Sequence, residues 1–175
     1  MKSQYNNIRK IKKRVISILD KYFGNDYILF LFGSFAKNKI DNLSDFDLAI
    51  YSKNPIPASK IVKVKEELET KAGTLRFEYT FESLWKTIKE YLRTEGIIVS
   101  TPLQCFKEAF KAGLIDAQYE DLFLEMIDKR NQIVHIYGME EAKKIYEFIK
   151  KDTVYSAIES IYKKLKELFS NKYRR

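Results

Sequence analysis

The first hydrophobic pattern of the chain has helical spacing. Apolar side chains recur every three or four residues, and Gly24 follows the last of them as a residue that can adopt a left-handed conformation and end a helix. The pattern therefore predicts an amphipathic helix over residues 6–23. Its apolar positions are Ile8, Ile11, Val15, Ile18, Leu19 and Tyr22.

Two short apolar runs follow. The run DYILFLFG, residues 26–33, is too short and too continuously apolar for a surface helix, so it predicts a buried strand. The run FDLAIY, residues 46–51, predicts a second strand, and SKNPIP then breaks the chain.

From residue 58 to the end the pattern is helical. Residues 58–73 must serve as a linker and as a shortened first helix, and a long apolar face then continues to a stop at Gly96. Thr101, Pro102 and Gln104 form a helix start with a capping box, and that helix ends at Gly113. Further helices are predicted over residues 122–133, over residues 142–149 and from residue 152 onward.

The order of these elements predicts an α+β fold that is mostly α. A small α/β module would occupy residues 1–57, and an all-α bundle residues 58–175. The 175 residues, 45% of them hydrophobic, suffice for one substantial core or two small ones. No apolar run approaches the roughly 20 residues of a membrane span, and the polar N-terminus does not resemble a signal peptide. Cys105 is the only cysteine, which excludes an intrachain disulfide, and a cytoplasmic protein is expected.

The net charge of +8 leaves two interpretations open. Lys and Arg neutralise phosphates, so the charge would suit a nucleic acid or a nucleotide as partner. A diffuse excess of lysine is equally compatible with an ordinary solvated surface.

A Gly-Ser pair and two aspartates lie between the predicted strands. Gly33 lets backbone N–H groups approach phosphate oxygens, and the hydroxyl of Ser34 can donate to them as well. Asp45 and Asp47 are two apart, so in a strand both carboxylates point to one face and could hold a divalent cation. The alternative is a plain turn followed by an exposed aspartate at a strand edge.

The full pattern G-S-x10-D-x-D resembles the minimal nucleotidyltransferases of the polymerase-beta superfamily. The segment FGSFA…SDFDLAIY carries the resemblance, which covers roughly residues 8–55. It implies that Gly33 and Ser34 hold a nucleoside triphosphate such as ATP, and that Asp45 and Asp47 hold Mg²⁺. The implied reaction is in-line attack on the α-phosphorus with pyrophosphate as the leaving group.

That superfamily normally supplies a third carboxylate from a later strand. The stretch TLRFEYTF, residues 74–81, alternates well enough to be a strand presenting Glu78. Its apolar face continues at helical spacing through Trp85 and Ile88, which favours a helix instead. A helix here would leave the nucleotidyltransferase module truncated.

The segment DKRNQIVHIYG, residues 128–138, holds the only histidine of the chain. Asn131 and His135 are four apart and share a helix face, whereas Arg130 and His135 diverge by about 140° on an ideal helix. A joint site therefore requires the helix to end near His135, or a second copy across a dimer interface. His135 could then act as general acid or base in RNA cleavage and Arg130 could stabilise the phosphorane. The alternative is a structural histidine beside an arginine that caps a helix.

The motif R-x4-H-x-Y, from Arg130 to Tyr137, resembles the HEPN family in the branch known as nucleotidyltransferase substrate-binding proteins. The segments RFEYTFESLWKTIKEYLRTEGI, KEAFKAGLID and MIDKRNQIVHIY carry the resemblance over roughly residues 70–170. It implies a homodimer and a partnership with a minimal nucleotidyltransferase, in some cases as toxin and antitoxin. In such pairs the HEPN protein is a ribonuclease, and adenylylation of the motif tyrosine, here Tyr137, silences it.

Three functions remain open from the sequence. The first is a Mg²⁺-dependent nucleotidyltransferase fused to a HEPN bundle that transfers AMP to a protein hydroxyl. The second is a HEPN ribonuclease with a degenerate nucleotide-binding module. The third is a binding module without catalysis.

Overall fold

The computed structural model describes residues 2–31, 48–133, 135 and 138–172, and these are mostly helical. The predicted α+β, mostly α fold is confirmed. The described elements are α1 (Lys2–Phe23), β1 (Tyr27–Leu31), β2 (Leu48–Ser52), α2 (Ala58–Thr94), α3 (Pro102–Lys111), a 3₁₀ turn (Ala117–Tyr119), α4 (Glu120–Ile133), α5 (Met139–Ile149) and α6 (Asp152–Lys172).

The chain forms two compact units, residues 1–69 and residues 70–175. The division falls inside α2, so this helix contributes its first part to one unit and its remainder to the other. The assignment of separate functions to residues 1–57 and residues 58–175 stays a prediction. No helix of the described ranges is both long enough and apolar enough to cross a membrane.

The two strands of the first unit pair antiparallel, with Ile28 opposite Tyr51. One face of this sheet packs on a small core of Val15, Leu19 and Val64. The other face is exposed: Ile28 is 54% and Tyr51 57% accessible to solvent. The expectation of a buried strand was therefore wrong: alternate positions are exposed and the others are only partly buried, because the described helices of this unit cover one sheet face only.

A buried carboxylate joins α1 to α2 in the first unit. Glu67 is only 4% exposed, and it accepts hydrogen bonds from Lys21 Nζ at 2.8 Å and from the Tyr22 hydroxyl at 3.0 Å. The hydrogen bond to Glu67 raises the pKa of the Lys21 ammonium, against the smaller opposing effect of burial. This pairing supplies the partners that a buried charge requires.

The helix ends of the second unit follow the predicted signals. Thr101 caps α3 by accepting from the backbone N–H of Gln104 at 3.3 Å, and the Gln104 side chain accepts in turn from the N–H of Ser100 at 3.1 Å. Gly96 and Gly113 have φ of 80° and 72° and end α2 and α3 in the left-handed conformation. The predicted caps are confirmed.

Aromatic rings pack against one another in the core of the second unit. Phe106 lies between two other rings, with its centroid 5.4 Å from that of Phe81 and 5.0 Å from that of Phe123. All three residues are at most 3% exposed. The rings come from α2, α3 and α4, so they hold three helices together by burial of large apolar surfaces.

The expectation of a linker over residues 58–73 was wrong, because α2 runs without interruption from Ala58 to Thr94. Gly73 lies inside this helix, where glycine is normally unfavourable. The ring of Tyr146 on α5 packs so closely on Gly73 that a Cβ atom there would overlap it. Close approach of α5, and not an end of the helix, therefore explains the glycine.

We expect Gly73→Ala to destabilise the protein by about 1–3 kcal/mol, although alanine is the better helix former by about 1 kcal/mol. The reason is that the added methyl group displaces the Tyr146 ring. The free energy of unfolding in urea measures the effect. In a Tyr146→Ala background the same change should be stabilising, and stabilisation of the wild-type protein by Gly73→Ala would contradict the explanation.

Candidate functional site

The residues predicted to bind nucleotide and metal lie outside the described part of the chain. They are Gly33, Ser34, Asp45 and Asp47, and the candidate modified residue Tyr137 is also outside it. Within the described ranges, no group of three or more His, Cys, Asp or Glu side chains could hold a metal ion. The Mg²⁺ and ATP site thus stays a prediction.

The two strands on either side of these residues lie within the described part of the chain. Their pairing bears on the predicted Mg²⁺ and ATP site. Leu31, the last residue of β1, pairs with Leu48, the first residue of β2. The chain therefore leaves and re-enters the sheet at the same end. The Gly-Ser pair and the Asp-x-Asp pair are attached by short lengths of chain to this one end.

Glu78 does not lie on a strand. Residues 74–81 belong to α2, so the preferred helical interpretation is confirmed and the strand alternative is wrong. The reason is visible in the core: Phe77, Phe81 and Leu84 recur at helical spacing, and each is buried. A third carboxylate from a strand at residues 74–81 is excluded.

The helix that carries Arg130 and Asn131 ends close to His135. Helix α4 stops at Ile133, and the backbone N–H of His135 donates to the Gln132 carbonyl at 2.9 Å. His135 lies in the turn that follows, with an exposed side chain. The ideal-helix angle between Arg130 and His135 therefore no longer applies.

An open pocket of about 460 Å³ lies between the end of α4, the His135 turn and α5. Its polar lining consists of two carboxylates, two carboxamides and one imidazole, above the buried side chain of Ile145. These groups accept and donate hydrogen bonds, and the carboxylates disfavour a phosphate. The lining residues are Asp128, Asn131, Gln132, His135, Glu141 and Ile145.

Sequence reasoning identified Asn131 and His135 and missed the other polar groups. Asp128 and Gln132 could have been found, because Asp128 lies three residues before Asn131 and four residues before Gln132 on the same helix, and such positions are neighbours. Glu141 comes from α5 and has no local signal in the sequence. Its carboxylate folds back on Gly138, where a Cβ atom would overlap it.

Arg130 belongs to a different network from the pocket. Its Nη2 donates to Glu82 Oε1 on α2 at 2.6 Å, and its Nη1 donates to Asn131 Oδ1 at 3.3 Å. Its Nε is buried and has no hydrogen-bond partner among the described groups. The structure therefore brings Arg130 to Glu82 and not to the lining that contains His135, although Asn131 takes part in both.

Glu82 is held by three donors. Besides Arg130, Trp85 Nε1 donates to its Oε2 at 3.0 Å, and Lys86 Nζ lies 3.4 Å from the same oxygen. Burial by itself would raise the pKa of Glu82, but the Trp85 hydrogen bond and the Arg130 charge outweigh it and lower the pKa below 4.5. The pairing of Glu82 with Arg130 has no local signal in the sequence, since the two residues are 48 apart.

Cys105 is not a candidate nucleophile. Its thiol is fully buried and donates to the Trp85 carbonyl at 3.3 Å. Burial raises the pKa of the thiol to about 12, against a small opposing effect of Lys89. A thiol with this pKa contributes almost no thiolate at neutral pH.

A known protein family matches most of the chain. A sequence model of the family described as nucleotidyltransferase substrate binding protein like matches residues 41–167. The matched range includes Asp45, Asp47 and the segment from Arg130 to Tyr137, whereas Gly33 and Ser34 precede it. The predicted resemblance to this branch is confirmed, and the fused nucleotidyltransferase stays a prediction.

The chain is also similar to a protein of known structure. This protein, from Thermus thermophilus and known from its crystal structure, is 30% identical in sequence to the chain, and the two structures align with a TM-score of 0.50. The match covers 66% of this chain and 87% of that chain. No curated protein is significantly similar to the chain.

The Glu82–Arg130 pair should stabilise the fold in a pH-dependent way. Because the folded pKa of Glu82 is lowered, its contribution is complete above the ordinary glutamate pKa of 4.5 and is lost as the pH falls through the folded value. Glu82→Gln should therefore cost about 1 kcal/mol at neutral pH and progressively less toward pH 3. Urea unfolding across this range measures the difference.

The exposed pair of Glu90 and Arg93 on the same helix provides the matched control. Glu90→Gln should change the free energy of unfolding by much less at every pH. A pH-independent difference between wild type and Glu82→Gln would contradict the assignment.

Proposed function

Because the chain belongs to the nucleotidyltransferase substrate binding protein like family, we propose that it acts in a nucleotidyltransferase system and carries its own nucleotide-binding module. In this proposal Gly33 and Ser34 hold the triphosphate of ATP. Asp45 and Asp47 provide the hard oxygen donors that Mg²⁺ prefers. When bound, Mg²⁺ would neutralise charge on the triphosphate.

The proposed reaction transfers AMP to a protein hydroxyl. The hydroxyl oxygen forms a bond to the α-phosphorus, the bond to the bridging oxygen breaks, pyrophosphate leaves, and the hydroxyl proton passes to solvent. Tyr137 is the proposed acceptor, in the same chain or in another copy. By the HEPN resemblance, its modification would silence a ribonuclease in the manner of a toxin–antitoxin pair.

The observation that carries this proposal is the pairing of Leu31 with Leu48. It attaches both halves of the G-S-x10-D-x-D pattern to one end of the sheet, as a shared site for triphosphate and metal requires. Two carboxylates repel each other and bind Mg²⁺ weakly until a triphosphate adds its own oxygens. Nucleotide and metal should accordingly bind together.

We expect Mg·ATP to raise the melting temperature by a few degrees, and ATP with a chelator to raise it much less. Asp47→Asn should abolish the difference. Ser34→Ala should only weaken it, because the backbone N–H groups of the turn remain. Asp26→Asn, the same chemical change at an exposed residue before β1, is the control. If calorimetry shows no heat of binding and the melting temperature does not rise at millimolar Mg·ATP, the proposed nucleotide site would be excluded.

Transfer itself is tested by incubating the protein with ATP and Mg²⁺ and mapping any added AMP by mass spectrometry. The expected position is Tyr137, and Tyr137→Phe should remove the modification. Tyr155, which is 67% exposed on α6, serves as the control tyrosine for non-specific labelling. Labelling of Tyr155 to the same extent would contradict a specific transfer.

The pocket beside His135 supports a second candidate, which is RNA binding and cleavage. Its support is the exposed imidazole at the end of α4, next to carboxamides that can hydrogen-bond to bases. We expect His135→Ala to lower cleavage of single-stranded RNA by about 10²–10⁴-fold, as for loss of a general acid or base. Lys107→Ala at an exposed position of α3 is the control, and unchanged cleavage by His135→Ala would exclude this role.

We further propose a homodimer in which the Arg130–His135 segments of two copies lie near the two-fold axis. The support is that Arg130 and His135 belong to separate networks within one chain, so that a joint site would draw one group from each copy. Light scattering at micromolar concentration should give twice the mass of the 20.8 kDa chain. A monomer at this concentration would count against the proposal.

A further inference from the structure

The carboxylate of Glu82 is surrounded by donors in the way a bound anion would be. Arg130 Nη2 lies 2.6 Å from one oxygen, and Trp85 Nε1 and Lys86 Nζ lie 3.0 Å and 3.4 Å from the other. Two of these donors are cationic, and they come from two different helices. Convergent charged donors of this kind are the usual recognition set for oxyanions.

We propose that Arg130, Lys86 and Trp85 form a phosphate-binding site, which the carboxylate of Glu82 occupies in this structure. The ligand class is a phosphate group, free or carried by a nucleotide or an RNA strand. Glu82 then acts as an internal competitor, which must move aside before phosphate binds. The inference deepens the RNA candidate and rests on it only for the source of the phosphate.

The hydrogen bonds of Arg130 do not engage all the donors of its guanidinium. A guanidinium usually presents Nε and Nη2 together as a fork to two oxygens of an anion. Here Glu82 accepts from Nη2, while Nε is buried without a partner among the described groups. A buried unpaired donor is costly, and a phosphate, with more oxygens than a carboxylate, can satisfy both positions.

Glu82 is able to leave this position without a change of the backbone. Its side chain is 23% exposed, and that of Arg130 is 30% exposed, so solvent reaches both. A different side-chain rotamer would carry the carboxylate toward solvent while Trp85 and Lys86, on the same helix, remain in place. The simplest competing explanation is an ion pair that only joins α2 to α4.

These two explanations predict different effects of removing the carboxylate charge on the affinity for phosphate. If Glu82 competes with phosphate, Glu82→Gln should raise the affinity for phosphate. If the pair is only structural, the same substitution should leave phosphate affinity unchanged, and the loss of stability is expected in both cases. The measurement does not involve RNA cleavage, so failure of the ribonuclease candidate and failure of this inference are distinguishable.

Trp85 is the only tryptophan of the chain, so its fluorescence reports directly on the proposed site. We expect titration with inorganic phosphate to change its emission, with an affinity about tenfold higher in Glu82→Gln than in wild type. Glu90→Gln should behave like wild type, and the double variant Glu82→Gln/Arg130→Gln should give no response. Circular dichroism establishes that each variant is folded.

A second titration identifies the source of the phosphate. If Glu82→Gln raises the affinity for a short single-stranded oligouridylate by as much as it raises the affinity for inorganic phosphate, or by more, the ligand is a nucleic-acid strand. A gain confined to inorganic phosphate identifies free phosphate or a mononucleotide instead. Both results support the site.

The inference is overturned if Glu82→Gln and wild type bind phosphate equally, or if the response persists in the double variant. Should Glu82→Gln not fold, Arg130→Lys in the wild-type chain provides the test. It keeps the charge but removes the fork, so it must lower phosphate affinity several-fold. Unchanged affinity in Arg130→Lys would likewise overturn the proposal.

Discussion

The burial of one long apolar stripe is the constraint on which the structure depends. Helix α2 supplies Val64 to the small core of the first unit, and it supplies Phe81, Ile88 and Leu92 to the large core of the second. The last three are at most 1% exposed. Burial of such side chains is the dominant favourable term in folding, so both units require α2 to be helical over its full length. This explains why a segment that resembles a strand at residues 74–81 is helical.

Much of the fold could be predicted because its signals are local. Helix periodicity, the Thr101 cap and the glycines at positions 96 and 113 act within a few residues of one another, and the structure confirms them. The glycine inside α2 and the exposed side of the two-stranded sheet could not be predicted, since each depends on what packs against it. A shortened first helix was expected to end at residue 73, whereas Gly73 lies inside a continuous helix and is in close contact with Tyr146.

The candidate site shows the same division. Asn131 and His135 were found from their spacing of four residues, whereas Glu82 lies 48 residues before Arg130 and Glu141 belongs to a separate helix. The net charge is likewise a property of the whole chain and not of one surface. The chain carries a net +8, yet the polar lining of the pocket near His135 includes two carboxylates, and one of the arginines is already paired with a carboxylate. Total charge therefore does not indicate which surface of the chain would meet a phosphate.

The contacts of Gly73 and Glu82 have a consequence for how this chain can vary. Glu82 follows Gly73 by nine residues along α2, so the two residues lie on opposite sides of an ideal helix. Tyr146 of α5 contacts one side, and Arg130 of α4 contacts the other. Insertion of one residue between them would rotate the later part of the helix by about 100° and separate at least one pair. Length changes in this protein should therefore accumulate in the loops between helices and be absent from this stretch of α2.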